Sequence, residues 1–166
     1  MNVKEAIWSR RSIRKFKEGA VISKEDIKLL LEAGMMAPSA RNRRPWEFIV
    51  VTNISLKKKL AEAQPYCRHL LDAYCAIIVC GKVEEPKTGF WQQDCAAAID
   101  NIMLMAVELG YGSCWCGLYP VVERSNAVKA LTGASGTPLG IIALGVPDES
   151  PEARGFYDPT AVRFID

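Results

Sequence analysis

A single histidine, His69, among 166 residues narrows the chemistry this chain can perform on its own. A nucleophilic triad needs an imidazole beside a serine or cysteine, and no such partner motif accompanies His69. A structural imidazole is the simpler expectation for it. H-E-x-x-H and other paired-histidine patterns are excluded, and G-x-G-x-x-G, the P-loop and G-x-S-x-G do not occur. Net charge is scarce as well: 21 Lys and Arg against 19 Asp and Glu leave +2, which argues against wholesale nucleic-acid binding. No apolar run approaches bilayer length, and the opening Met-Asn-Val-Lys-Glu-Ala-Ile-Trp has neither a signal-peptide nor a transit pattern. A cytoplasmic protein is the expectation. The six cysteines show no C-x-x-C pair, so with one histidine no metal site is expected, and reduced buried thiols are. The Cys114-x-Cys116 pair leaves a redox role open.

What remains is enough for one domain spanning 1–166, a length that buries roughly two-thirds of its unfolded surface without staples. Its element pattern alternates. Residues 2 to 10 read as a short helix with Val3, Ile7 and Ala6 inward. Ser23 to Asp26 has capping-box spacing and opens a helix over about 24–36. Phe48 to Val51 and Ala73 to Cys80 read as buried strands with a Lys-rich amphipathic helix at Leu56 to Ala63 between them. Glu84 to Gly89 is a polar loop, and its Glu84-Glu85 pair has no assignable acid and base roles. Trp91 to Gly110 is apolar over more than half its circumference, too much for a surface helix, so it belongs in the middle of the fold or of a dimer. Its Ala96-Ala97-Ala98 run admits close approach by another helix, and Gly110 and Gly112 end it. Ser113 to Pro120 is a strand or tight segment, Glu123 to Leu131 a helix, Leu139 to Val146 a third central strand, and Ala161 to Ile165 a candidate edge strand for a partner subunit. The sum is an α+β fold, an α/β sandwich whose central mixed sheet is flanked by helices.

Two stretches carry binding chemistry. Arg10-Arg11-Ser12-Ile13-Arg14-Lys15-Phe16 can gather guanidinium groups and a hydroxyl onto one phosphate, because arginine binds phosphate bidentately. Pro38-Ser-Ala-Arg-Asn-Arg-Arg-Pro-Trp46 is a turn braced by two prolines, and it presents Ser39, Asn42 and three arginines to a planar, anionic, hydrogen-bonding ligand. A solvated basic patch and a capped surface turn are the plainer readings of each. Binding groups without reactive ones are the pattern of a protein whose cofactor carries the reaction.

Arg10-Arg11-Ser12-x-Arg14-x-Phe16, then Ala37-Pro38-Ser39-x-x-Asn42-x-x-Pro45-Trp46, then Gly110-x-Gly112-Ser113-x-Trp115 after a long Ala-rich helix, together resemble the nitroreductase family of FMN-dependent oxidoreductases over essentially the whole chain. The resemblance implies a homodimer with a C-terminal extension exchanged between subunits, FMN at the interface, and NADH or NADPH as donor. It assigns Arg10, Arg11 and Ser12 to the FMN phosphate and ribityl chain, and Arg14 to the flavin pyrimidine edge. Pro38, Ser39 and Asn42 reach the flavin, the Pro-Ser pair from the other subunit; Gly117 and Leu118 lie where the backbone approaches N5; Arg154 returns to the phosphate. Arg44 departs from the usual Gln before Pro-Trp, and the chain is short for the family. Trp46, Tyr119, Phe90 and Trp91 are candidate apolar walls or plain core. The implied reaction passes hydride from NAD(P)H through flavin N5 to a flat nitroaromatic or quinone in two stages. Alternatives are oxidative or reductive-dehalogenase chemistry on the same cofactor, a non-catalytic flavin-binding sensor with Cys114 and Cys116 as thiol switches, and, more distantly, a nucleic-acid-binding domain.

Overall fold

The structure is a computed structural model describing residues 2–82, 89–152 and 154–165. Of the expected polar loop only Gly89 is among them, and Glu84 and Glu85 lie outside the described residues.

Four strands form one sheet in the order β1-β2-β4-β3: β1 (Trp46–Val51), β2 (Cys75–Gly81), β3 (Gly112–Gly117) and β4 (Thr137–Gly145). The two most continuous apolar runs, β2 and β4, take the central places because only there are both faces covered. Every named pair is antiparallel, with Ile77 opposite Ile142 and Ile78 opposite Ile141. Among the described residues, the parallel component expected of a mixed sheet is one bridge, Ser12 to Ser113, on the outer edge of β3.

Side-chain alternation divides the interior into two layers. Ile78, Cys80, Cys116 and Ile141 meet α3 (Ile54–Ala63), the 3-10 segment Pro65–Leu71 and α5 (Val122–Thr132). Ile77, Val79, Ile142 and Leu144 meet α2 (Lys24–Met35) and α4 (Trp91–Glu108). The expected sandwich is therefore present, with α4 buried through Cys95, Ala98, Ile99, Ile102, Met103 and Ala106. One close approach to α2 falls at Gly34, where an added Cβ would stand 2.9 Å from Ile102 Cδ1. Gly110 ends the helical run in a left-handed conformation, φ 78°, while Gly112 opens β3 against Ile13. No described helix is long and apolar enough to cross a membrane.

Local chemistry explains most boundaries. Ser23 Oγ accepts from Asp26 N–H at 3.0 Å, as the spacing predicts, but the Asp26 carboxylate accepts from Tyr111 O–H at 2.6 Å and so ties α2 to the chain after α4. The first helix, α1 (Val3–Ser9), carries a true capping box between Asn2 and Glu5. Its expected inward face requires correction. Only Ala6 is buried; Val3 and Ile7 remain 75% and 49% exposed, because α1 rests on its small side and leaves the larger apolar residues outside this chain's own core.

The segment after α1 is held along the sheet edge. Ile13 N–H donates to Ser113 O at 2.9 Å, Lys17 N–H to Val146 O at 2.9 Å and Asp148 N–H to Lys15 O at 2.9 Å. Beyond Val146 the chain is mostly exposed, with one short 3-10 turn at Pro159–Ala161. Residues 162–165, the expected edge strand, are extended at Val162 but join no strand among the described residues; Phe164 and Ile165 stay 83% and 82% exposed.

Candidate functional site

Ile13 and Phe16 are the anchors of the N-terminal segment, both buried, one against Gly112 and the other against Gly145. Once they point inward, the intervening backbone has to direct Arg10, Arg11, Ser12 and Arg14 away from the core. The segment after β4 supplies the facing wall. Glu149 Oε1 accepts from the backbone N–H groups of Arg14 and Lys15, and Arg11 Nε donates to Glu152 O at 3.1 Å. A second Arg11 hydrogen bond goes to Arg10 O. Between the walls lies a cleft of about 860 Å³ into which Arg10, Arg11, Ser12, Arg14 and Arg154 all open.

Charge in this cleft is unbalanced. Four arginines face two carboxylates, Glu149 and Glu152, and Glu149 is already committed to backbone donors. Arg10, Arg14 and Arg154 have no carboxylate partner among the described residues. Convergent unpaired guanidinium groups are costly to hold together unless an anion joins them, and a phosphate accepts their bidentate hydrogen bonds. The opposite walls are apolar and aromatic: Ile7, Trp8, Phe156 and Tyr157. A ligand with an anionic end and a flat apolar body fits this division of surface. Ser113 Oγ, buried beside the Ser12 bridge, has no hydrogen-bond partner among the described residues.

From that bridge β3 runs to Gly117, four residues on, or about 13 Å at strand rise. Gly117 is exposed, nothing lies within 4 Å of where its Cβ would stand, and its carbonyl accepts from Gln64 Nε2. Leu118 is buried, with its N–H donated to Leu139 O at 2.9 Å. A flat ligand can thus come close to the backbone at Gly117.

The proline-braced turn lies outside the cleft within one chain. Ser39 Oγ accepts from Arg44 N–H at 2.9 Å, and Asp94 Oδ1 from Ala40 N–H at 3.0 Å. These two acceptors hold a backbone that is left-handed at Arg41, Asn42 and Arg44, with φ of 56°, 52° and 52°. Arg44 Nη2 donates to Met35 O at 3.3 Å, so the residue that departs from the family pattern satisfies a carbonyl at the end of α2. Pro38 and Asn42 are exposed.

The structure therefore brings Arg10, Arg11, Ser12, Arg14 and Arg154 to one cleft, and sets Pro38, Ser39 and Asn42 at a separate surface. Of the expected apolar walls, Trp46 is buried and Trp91 packs edge-on to Tyr119 with ring centroids 5.1 Å apart, so these are core; Phe90 is exposed. Trp8, Phe156, Tyr157 and Glu149 were missed. An aromatic pair directly after Arg154 was the available signal.

The cysteines behave as expected in part. Burial pushes the Cys75, Cys80 and Cys95 thiols up to about 12, which leaves them inert. Cys116 is raised to about 12 as well, the lowering effect of Cys114 being outweighed by Cys67 and burial, but it also joins Cys67 and His69 in a cluster whose ligand atoms lie within 4.8 Å of one another, across two elements that the sequence separates.

The family profile described as the nitroreductase family matches residues 7–65 and 63–146. A candidate NADH dehydrogenase/NAD(P)H nitroreductase of Methanothermobacter thermautotrophicus is 42% identical over 165 residues, covering 98% of this chain and 86% of that protein. The crystal structure of a candidate NADH dehydrogenase/NAD(P)H nitroreductase from Parabacteroides distasonis superposes with a TM-score of 0.91 at 36% identity, covering 97% of this chain and 96% of that one. An FMN-dependent nitroreductase from Clostridium difficile superposes with a TM-score of 0.88 at 29% identity, covering 99% of each chain.

Proposed function

This chain belongs to the nitroreductase family, and from that premise we propose that it is an FMN-dependent NAD(P)H oxidoreductase whose cofactor phosphate is held in the arginine cleft. The observation that carries the reading is the convergence of Arg10, Arg11, Arg14 and Arg154 with Ser12 on one cleft of about 860 Å³. Arg10, Arg154 and the Ser12 hydroxyl hold the phosphate. Arg11, spent on Glu152 O and Arg10 O, ties the two walls together and adds its charge at short range. Arg14 places a positive charge where negative charge accumulates during reduction. The open backbone at Gly117 receives the edge of the ring.

The chemistry FMN supplies when bound is hydride exchange at N5, first with NAD(P)H and then with a flat electron-poor acceptor of the nitroaromatic or quinone type, the half-reactions alternating at one site. No side-chain nucleophile or general base is needed, in keeping with a chain whose one imidazole lies beside Cys116.

The working unit is a homodimer in this reading. Phe164 and Ile165 are exposed in the isolated chain, apolar surface that a second copy would cover by exchange of the C-terminal segments. The same exchange brings Pro38, Ser39 and Asn42 of one copy to the cleft of the other. The test is the visible spectrum of purified protein supplied with FMN, followed by NADH or NADPH without oxygen. Bleaching of bound flavin, restored by a quinone, is the expected result; absence of flavin binding overturns the proposal. Solution mass tests the dimer separately.

A further inference from the structure

Cys67 and His69 lie on the 3-10 segment Pro65–Leu71, and Cys114 and Cys116 lie two residues apart on β3, so both strand cysteines project from the same face. That face is packed against the 3-10 segment, and the packing assembles a cluster that no local motif announces. The ligand atoms of Cys67, His69 and Cys116 are mutually within 4.8 Å. Cys116 Sγ stands 3.5 Å from His69 Nε2. In tetrahedral zinc coordination, a thiolate and an imidazole at ordinary bond lengths are separated by about 3.6 Å. Cys114, on the same face of β3, is not among the donors that lie mutually within 4.8 Å.

We propose that Cys67, His69 and Cys116 form a site for a thiophilic, tetrahedral divalent cation of the zinc class, with a solvent molecule as the fourth ligand, clamping β3 to the 3-10 segment just before Gly117. The donor set, two sulfurs and one imidazole nitrogen, suits zinc and leaves the fourth tetrahedral position to water. Binding replaces the two thiol protons, which pass to solvent, and leaves two thiolates and a neutral imidazole around a divalent ion with no net charge. Both cysteines are buried, but His69 is half-buried, so the cluster has one side open to an entering ion. The backbones that carry the donors are a paired strand and a short helix packed on the sheet, so little ordering is left for the ion to impose.

The site is independent of flavin binding and is tested without an activity assay. The full-length, flavin-loaded protein is reduced with a phosphine, stripped with a chelator and titrated with Co²⁺ without oxygen, reading the tetrahedral cobalt bands that lie to the red of flavin absorption. One equivalent per chain, displaced by Zn²⁺, is expected. Cys116→Ser lowers affinity at least tenfold and abolishes the thiolate-to-cobalt charge-transfer intensity in proportion. Because a buried cysteine can matter for folding, His69→Gln at the half-buried position serves as the second variant; it keeps flavin and far-ultraviolet signal while weakening cobalt binding at least tenfold. An octahedral spectrum in the unsubstituted protein, or equal binding in both variants, overturns the proposal. So does a Cys67–Cys116 disulfide in air-equilibrated protein that, once reduced, takes up no cobalt.

Discussion

Ile13 and Arg14 are neighbours in the chain, yet Ile13 is 8% exposed against Gly112 while Arg14 opens into a cleft with no carboxylate partner among the described residues. The interior around Ile13 is redundant, since each side chain touches several others and loses part of its support when one changes. The cleft has no such redundancy. Its guanidinium groups are served by very few internal contacts, so their worth is realised against a ligand. Substitutions should therefore separate into those that move stability and those that move cofactor affinity.

The largest expected effect breaks the interior side. Leu30→Ala or Ile141→Ala, both fully buried, should cost about 2–5 kcal/mol of stability by urea denaturation, with flavin content per folded molecule unchanged. On the cleft side, Arg10→Ala should weaken FMN binding by about 1.5–3 kcal/mol, roughly ten- to a hundredfold, while the urea midpoint stays put. Equal losses in both readouts for both variants would erase the distinction. Gly34→Ala sharpens it within the interior: the added carbon, 2.9 Å from Ile102 Cδ1, should cost about 1–3 kcal/mol by forcing α2 off α4.

The smallest effect sits where β1 meets the turn before β4. Burial raises the Glu47 pKa, but hydrogen bonds from Gly136 N–H, Ser135 O–H and Ser135 N–H outweigh it and hold the carboxyl below its ordinary value. A depressed folded-state pKa contributes stability that is present above the unfolded pKa and lost as pH falls through the folded one. Glu47→Gln should therefore be less stable at neutral pH, and the gap in urea midpoint should close in acid below the ordinary carboxylate range.

Elements whose neighbours in sequence are also their neighbours in space were legible. The Cys75–Gly81 and Thr137–Gly145 strands announce themselves by unbroken apolar runs, and Trp91–Glu108 by an apolar circumference. The first helix was misread because i, i+4 spacing of Val3 and Ile7 gives a face but not what covers it. In the cleft, the arginines and Ser12 were visible as a charge cluster, whereas Glu149 acts through backbone hydrogen bonds spanning 135 and 134 residues that no pattern in the sequence encodes. The Cys67, His69 and Cys116 cluster was hidden for the same reason: a Cys–His pair on one segment and a cysteine on a strand, each unremarkable alone, meet only through the packing of β3.

The left-handed backbone at Arg41, Asn42 and Arg44 has a bearing on how this protein can drift. Asparagine and glycine pass through such positions at little cost, whereas valine, isoleucine or threonine would collide with their own backbone. Mutation at these codons is thus filtered by shape before any question of ligand arises, and lineages that lose the Ser39 and Asp94 acceptors holding the bend would be expected to accumulate glycine there.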